Sequence, residues 1–271
     1  MKKTSIAIIL AAAFLAAVPC NARNPYRKAR GTTRIVQYNI GAFAKELENS
    51  TPMIAAMMKE VQADAVCLNE LDSCNGRHNT DQCAAFAAEM GGWGQKFSRA
   101  MAYKGGAYGV GIATPARIIS SRTIALPKGN GSEPRACCVV ETDSYVLAAT
   151  HLDYTHMPSM VEQAKRITEV LKSEYSNSGK VVILAGDMNS TPDSKVLDEL
   201  RKDWKVISAT DPSFPADGAR KCIDYILVLD NGARYKVKGS AVMTEFSTGD
   251  VKVASDHLPV CADIKILRQR R

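Results

Sequence analysis

The chain has 271 residues, 46% of them hydrophobic and 23% charged, with a formal net charge of +7. That length and balance suit one large globular domain or two small ones and exclude a disordered or low-complexity chain. Much of the positive excess lies at the ends, in Lys2 and Lys3, Arg23 to Arg30 and Arg268 to Arg271, so no long basic stripe for a nucleic-acid duplex is visible.

Met1-Lys2-Lys3 leads into an apolar run to Val18 and then small residues, the pattern of a secretory signal peptide over residues 1–22. The run is short for a bilayer span, and no later stretch approaches that length, so the mature chain is expected to have no transmembrane segment. Export to the periplasm or the exterior follows. Lipid anchoring through Cys20 is the poorer reading, because Pro19 precedes it. A basic lead over residues 23–31 then joins a domain over residues 32–271.

Periodicity predicts a strand over Thr33–Ile40, a helix over Leu47–Val61 begun near Ser50-Thr51-Pro52, a strand over Ala65–Asn69 and a helix over Thr80–Met90. Strands follow at Gln95–Ala100, Val110–Ala113, Ile118–Ala125, Ala136–Glu141 and Tyr145–Thr150. An amphipathic helix over Pro158–Tyr175, a buried strand over Lys180–Ala185 and a short helix over Ser194–Leu200 come next. The last strands are Cys222–Leu229, Ser240–Thr244 and Pro259–Leu267. No Pro/Gly/Ser linker and no repeat divides the series. Many strands with helices between only some of them imply an α/β domain of two packed mixed sheets flanked by helices.

Of eight cysteines, Cys20 falls within the leader, and Cys67, Cys137, Cys138, Cys222 and Cys261 sit in apolar runs as small core residues. Cys74 and Cys83 flank a polar loop and are the two open to a disulfide in an oxidising compartment. No spacing matches a zinc site, and His151 with His156 does not form a helical His-Glu-x-x-His arrangement.

Six times a polar group appears where an apolar strand begins or ends: Asn39, Glu70, His151, Asp187 with Asn189, Asp224, and Asp256-His257. Residues two apart in an extended chain share a face, so Asp187 can converge with Asn189, and His151 with Asp153. If the strands are neighbours, one rim gathers carboxylates, amides and two imidazoles. That inventory suits metal-assisted phosphoester cleavage. Glu70 and Asp256 offer carboxylates to a hard cation such as Mg²⁺ or Mn²⁺. His257 held by Asp224 is the candidate general base. Asn39, Asn189 and His151 are candidate donors to phosphate oxygens, and Asp187 with Asn189 to position the attacking water. Arg135, in Glu133-Pro-Arg135, is either a phosphate ligand or a surface ion-pair residue.

The segments Gln37-Tyr-Asn-Ile40, Leu68-Asn-Glu-Leu71, Thr150-His-Leu-Asp153, Gly186-Asp-Met-Asn189, Ile223-Asp-Tyr-Ile226 and Ser255-Asp-His-Leu-Pro259 occur in that order. Together they resemble the endonuclease/exonuclease/phosphatase superfamily across nearly the whole mature chain. The resemblance implies a four-layer α/β sandwich, a metal at Glu70 with Asp256 and Asn39, and His257 oriented by Asp224. It also implies phosphate contacts from Asn39, His151, Asp187 and Asn189. Two departures stand out: Asn69 replaces the more usual Gln before the glutamate, and Gly109 to Pro115 replaces the usual Gly-x-Ala-Ile-Leu-Ser-Arg.

Alone, Asp187 and Asn189 read as turn formers, and His151 as a hydrogen-bonded core histidine. Their company favours chemistry. His78 and His156 have no such support and read as loop residues. Arg77 and Gln82 lie in a stretch that is either near the site or a helix-capping loop with Asn79 or Thr80 as cap. The expected function is an exported, metal-dependent phosphoesterase acting by in-line attack of water. The sparse basic clusters favour a phosphorylated small molecule or lipid head group, with a DNA or RNA endonuclease as the alternative. A non-catalytic phospho-ligand-binding module of the same fold is the rival of another class. A serine hydrolase lacks its Gly-x-Ser-x-Gly elbow.

Overall fold

A computed structural model describes residues 25–267, so the signal-peptide reading and the first lead residues lie outside them. The first half carries β1 (Thr33–Asn39), α1 (Thr51–Glu60), β2 (Ala65–Ser73), α2 (Gln82–Glu89), β3 (Gly94–Tyr103), β4 (Gly106–Thr114), β5 (Ile118–Ala125) and β6 (Ala136–Thr142). The second carries β7 (Tyr145–His151), α3 (Met157–Tyr175), β8 (Val181–Asp187), α4 (Lys195–Leu200), β9 (Trp204–Val206), β10 (Asp224–Leu229), β11 (Tyr235–Val242), α5 (Val251–Ala254) and β12 (Val260–Ile266).

The strands form two six-stranded mixed sheets, ordered β11-β12-β1-β2-β4-β3 and β5-β6-β7-β8-β10-β9. Alternation along each strand sends one set of side chains between the sheets and the other toward helices. Ile35, Cys67 and Ile112 of the first sheet meet Cys138, Leu147, Ile183 and Ile226 of the second in a shared core. Val36, Tyr38 and Leu68 face the other way, against Ile54, Met57, Met58 and Phe86 of α1 and α2. On the opposite side Val146, Leu184 and Tyr225 pack on Ile167, Leu171, Val196 and Leu197 of α3 and α4. Four layers result, helix–sheet–sheet–helix. Each fully buried Leu or Ile in them contributes about 1.5–3 kcal/mol.

Local chemistry sets the ends. His156 caps α3 by accepting from the Ser159 amide, and Ser194 caps α4 by accepting from Leu197. The cap of α2 is Asp81, accepting from Ala84 N–H at 2.9 Å, rather than Asn79 or Thr80. Helix α1 starts at Thr51, within the Ser50-Thr51-Pro52 stretch where the sequence places its beginning, and Pro52 suits that first turn. The residues before it form a loop that carries Lys45 to the site.

Several expectations change. β2 runs on to Ser73 past a bulge at which Asn69 and Glu70 oppose Val110 of β4. β9 spans three residues and α5 four, too short for periodicity to register. Cys74 and Cys83 do not pair: Cys74 is exposed, while Cys83 is buried with its thiol toward the Ile112 carbonyl. The described part of the basic lead is docked, with Ala29 N–H donating to Asp263 at 2.8 Å and Arg34 donating to the Tyr26 carbonyl at 2.6 Å.

Candidate active site

β1, β2, β7 and β8 deliver their C-terminal ends to one rim, and antiparallel β10 and β12 bring their N-terminal ends to it. All six sequence segments therefore meet. Asn39, Glu70 and the Asp256-His257 loop come from the first sheet; His151, Asp187 and Asp224 come from the second. The rim lies over the seam between the two sheets.

Asn39 ties the halves together, its amide donating to Glu70 Oε1 and to Asp187 Oδ2, both at 3.1 Å. Glu70 stands at the β2 bulge with φ +61°, a left-handed conformation that turns a residue out of the regular pleat. Asn189 is left-handed too, at φ +48°; its N–H donates to Asp187 Oδ1 at 2.8 Å and its amide to the Leu152 carbonyl at 3.0 Å. Ser255 pins the last loop by donating to the Asn39 carbonyl at 2.6 Å.

Asn69 has a larger part than its replacement of Gln suggested. Its amide donates to the Thr150 carbonyl at 2.9 Å, and its oxygen accepts from Asp187 N–H at 3.0 Å and from the Gln37 amide. It is a buried stitch between the sheets. Gln37 also donates to Asp224 Oδ1 at 3.3 Å.

His257 Nδ1 lies 2.9 Å from Asp224 Oδ2, which also accepts from Ser213 Oγ at 2.6 Å. That partner directs Nε2 toward the cleft, 3.7 Å from Asp187 Oδ2, while His151 Nε2 lies 3.6 Å from the same oxygen. Burial pulls the His257 pKa down, but Asp224, Asp187 and Asp256 outweigh it and push it up to about 9. Burial and the Asp224 charge raise that of Asp187. For His151 burial and the Arg135 charge act together and hold the pKa well below the usual histidine value, so its ring is neutral.

Arg135 is no surface residue. It is buried beside His151, faces Tyr154 with its guanidinium carbon 5.9 Å from the ring centre, and keeps one ion pair, to Glu133 at 3.3 Å. Arg135 Nε and His151 Nδ1 are buried and have no hydrogen-bond partner among the described residues. Both residues line a cleft of about 740 Å³ together with Glu70, Asp187, Asn189, Asp256 and His257.

Other candidates fall elsewhere. Asp153 is buried and turned away from the rim, accepting from the backbone N–H groups of Ser132, Thr155 and His156. His78 and Arg77 both pair with Asp72, and Gln82 bonds the Asp72 N–H and the Ala42 carbonyl. Gly109 to Thr114 is β4 strand, and Arg122, downstream on β5, pairs with Glu174.

Sequence reasoning missed Lys45. Its ammonium lies 3.0 Å from Asp256 Oδ2 and 3.9 Å from Glu70 Oε2. Burial lowers its pKa, and the two carboxylates more than reverse that. The pattern around it is that of an ordinary loop, and only the fold brings it here.

Among the described residues one group of three ligand residues is compact enough for a cation. Asp187, Asp224 and His257 offer atoms all within 4.8 Å of one another. Their lone pairs are already engaged, since Asp224 accepts from Ser213, Gln37 and His257, and Asp187 accepts from Asn39 and Asn189. Glu70 and Asp256 fit better. They are half-exposed carboxylates facing one positive group, the oxygen-only chemistry that a hard cation selects.

The sequence from residue 36 to residue 257 matches the model of the Endonuclease/Exonuclease/phosphatase family. The chain belongs to that family. Its members hydrolyse phosphoesters, and this chain is a phosphoesterase of that fold. No curated protein matches the sequence. Among solved structures, a mannosyl-6-phosphatase of Bacteroides thetaiotaomicron superposes with a TM-score of 0.71 at 18% identity, covering 86% of this chain and 99% of that one. The human Nocturnin catalytic domain gives 0.67 at 17%, covering 89% and 96%. ANGEL2, a 2′,3′-cyclic phosphatase, gives 0.68 at 13%, covering 89% and 97%. At these identities the structures show a shared fold. The two six-stranded sheets and flanking helices are the sandwich expected of the family.

Proposed function

We propose that this family member is an exported, divalent-metal-dependent phosphoesterase that hydrolyses a small phosphorylated molecule or lipid head group. The observation that carries the reading is that one cleft gathers Arg135, His151 and Asn189 with Glu70, Asp187 and the Asp224-held His257. A buried arginine and neutral polar donors facing carboxylates and an imidazole are the inventory that binding and hydrolysing a phosphoryl group needs. The cleft volume of about 740 Å³ falls in the range of small-ligand sites. Its lining mixes Glu70, Glu133 and Asp256 with Arg135 and Lys221, unlike the one-sided basic surface a nucleic-acid duplex needs. The solved relatives named for sugar-phosphate and cyclic-phosphate hydrolysis lend support to the small-substrate choice.

In this reading Asn39, Asn189, His151 and Arg135 orient the phosphoryl group, and Asp187 holds the attacking water. Asp224 fixes the His257 ring so that Nε2 takes the proton released as the P–O bond to water forms. The P–O bond to the ester oxygen breaks, and the leaving alkoxide takes its proton from solvent. Glu70, Asp256 and Asn39 would hold Mg²⁺ or Mn²⁺, which when bound supplies positive charge against the developing phosphoryl charge and opposes the carboxylates that raise the His257 pKa. Export rests on the leader-like residues 1–22.

The test is a panel of sugar phosphates, inositol phosphates, sphingomyelin, aryl phosphates and nucleic acids, with and without chelator. Hydrolysis of a small ester that stops on chelation and returns with Mg²⁺ or Mn²⁺ is expected. Plasmid nicking as fast as the best small ester would move the assignment to an endonuclease. Phosphate-ester binding without turnover would move it to a binding module.

A further inference from the structure

Lys45 lies on the loop between β1 and α1 and reaches back across it to the rim. Gly41, on the same loop, makes room for its stem. A Cβ built on Gly41 would stand 2.4 Å from both Cγ and Cε of Lys45, far inside contact distance, and Gly41 itself sits at φ +51°. The lysine stem thus lies over Gly41, in the space that a Cβ there would fill. At its end the ammonium meets Asp256 at 3.0 Å and Glu70 at 3.9 Å, the two carboxylates proposed above as metal ligands. One positive group of the chain's own occupies the approach to the oxygens a divalent cation would take.

We infer that Lys45 is a built-in counter-ion that holds the Glu70–Asp256 pair in the metal-free protein and must withdraw before a divalent cation binds. This rests on the metal reading of the site. The two like-charged occupants compete for the same carboxylate oxygens, and mutual repulsion at such separations is strong in a partly buried rim. Metal affinity is then reduced by the fraction of molecules whose lysine has left. The metal-free rim in turn escapes the repulsion of two bare carboxylates, so the site stays assembled before loading. Gly41 belongs to the same device, because a side chain there would displace the stem from its present path.

The test measures Mn²⁺ binding directly, by calorimetry and by the electron paramagnetic resonance signal of free ion, in substrate-free protein. Lys45→Met keeps the stem over Gly41 and removes the charge; it is expected to bind Mn²⁺ about tenfold or more tightly, as for a lysine seated nine-tenths of the time. Lys45→Arg keeps the charge and is expected to stay near wild type. Unchanged or weaker binding in Lys45→Met would overturn the inference. Glu70→Gln separates this failure from a wrong metal site. If wild type binds and Glu70→Gln does not, the metal reading stands whatever Lys45 does. If the two bind alike, the metal reading itself falls, and the inference with it.

Discussion

The imidazole of His257 is held by Asp224 on one side and packed by the Phe214 ring, 4.7 Å between centres, on the other. Replacing His257 by Ala is expected to lower turnover about 10²–10⁴-fold with the circular dichroism spectrum unchanged, the usual worth of a positioned acid–base group. Steady-state kinetics on the best small ester would check it, and wild-type turnover would take His257 out of the chemistry. At this scale the sequence was informative wherever a polar residue interrupted an apolar strand: Asn39, Glu70, His151, Asp187, Asn189, Asp224 and His257 all reach the cleft or its floor. It misled at Asp153, where the pleat rule assumed a strand that β7 does not continue past His151. It was silent on Lys45, whose place depends on a loop path that no period encodes.

Between elements, Asp153 shows what a carboxylate does when it is not at the rim. It gathers N–H groups from Ser132 in the β5–β6 connection and from Thr155 and His156 ahead of α3, so it shapes the wall that carries Arg135 and Tyr154. Burial raises its pKa, and those donors outweigh burial and bring it down to about 2. A depressed carboxylate pKa contributes stability that is complete above the ordinary value of 3.8 and is lost as pH falls through about 2. Denaturant midpoints taken between pH 5 and pH 2 should therefore fall more for the wild type than for Asp153→Asn. Parallel curves would mean that Asp153 contributes nothing to acid sensitivity. Strand and helix identities were legible from alternation and capping residues, as with β5, predicted over its observed residues. Bounds drifted where a bulge lengthened β2 and where the mostly exposed β11, at the sheet edge, shows no alternation of burial.

For the whole molecule the telling residue is Asn69. One buried amide joins Gln37 of the first sheet to Thr150 and Asp187 of the second. Asn69→Ala would take this partner from the Thr150 carbonyl and the Asp187 N–H, at about 1–3 kcal/mol for each orphaned group, while the Gln37 amide keeps Asp224. Urea unfolding should reveal a loss of at least that size, and a change under about 0.5 kcal/mol would mean the sheets are joined by packing alone. The layering itself was expected from the order of strands and from six motifs in register with a known family. The stitch between layers was not, because a side chain that bonds across two sheets leaves no periodic trace. There is a temporal side to this arrangement. Asp256 and His257 precede the final strand, β12, which lies between β11 and β1 in mid-sheet. Until Asp256, His257 and β12 have been made, β1 lacks its antiparallel neighbour and the cleft lacks the base proposed for it.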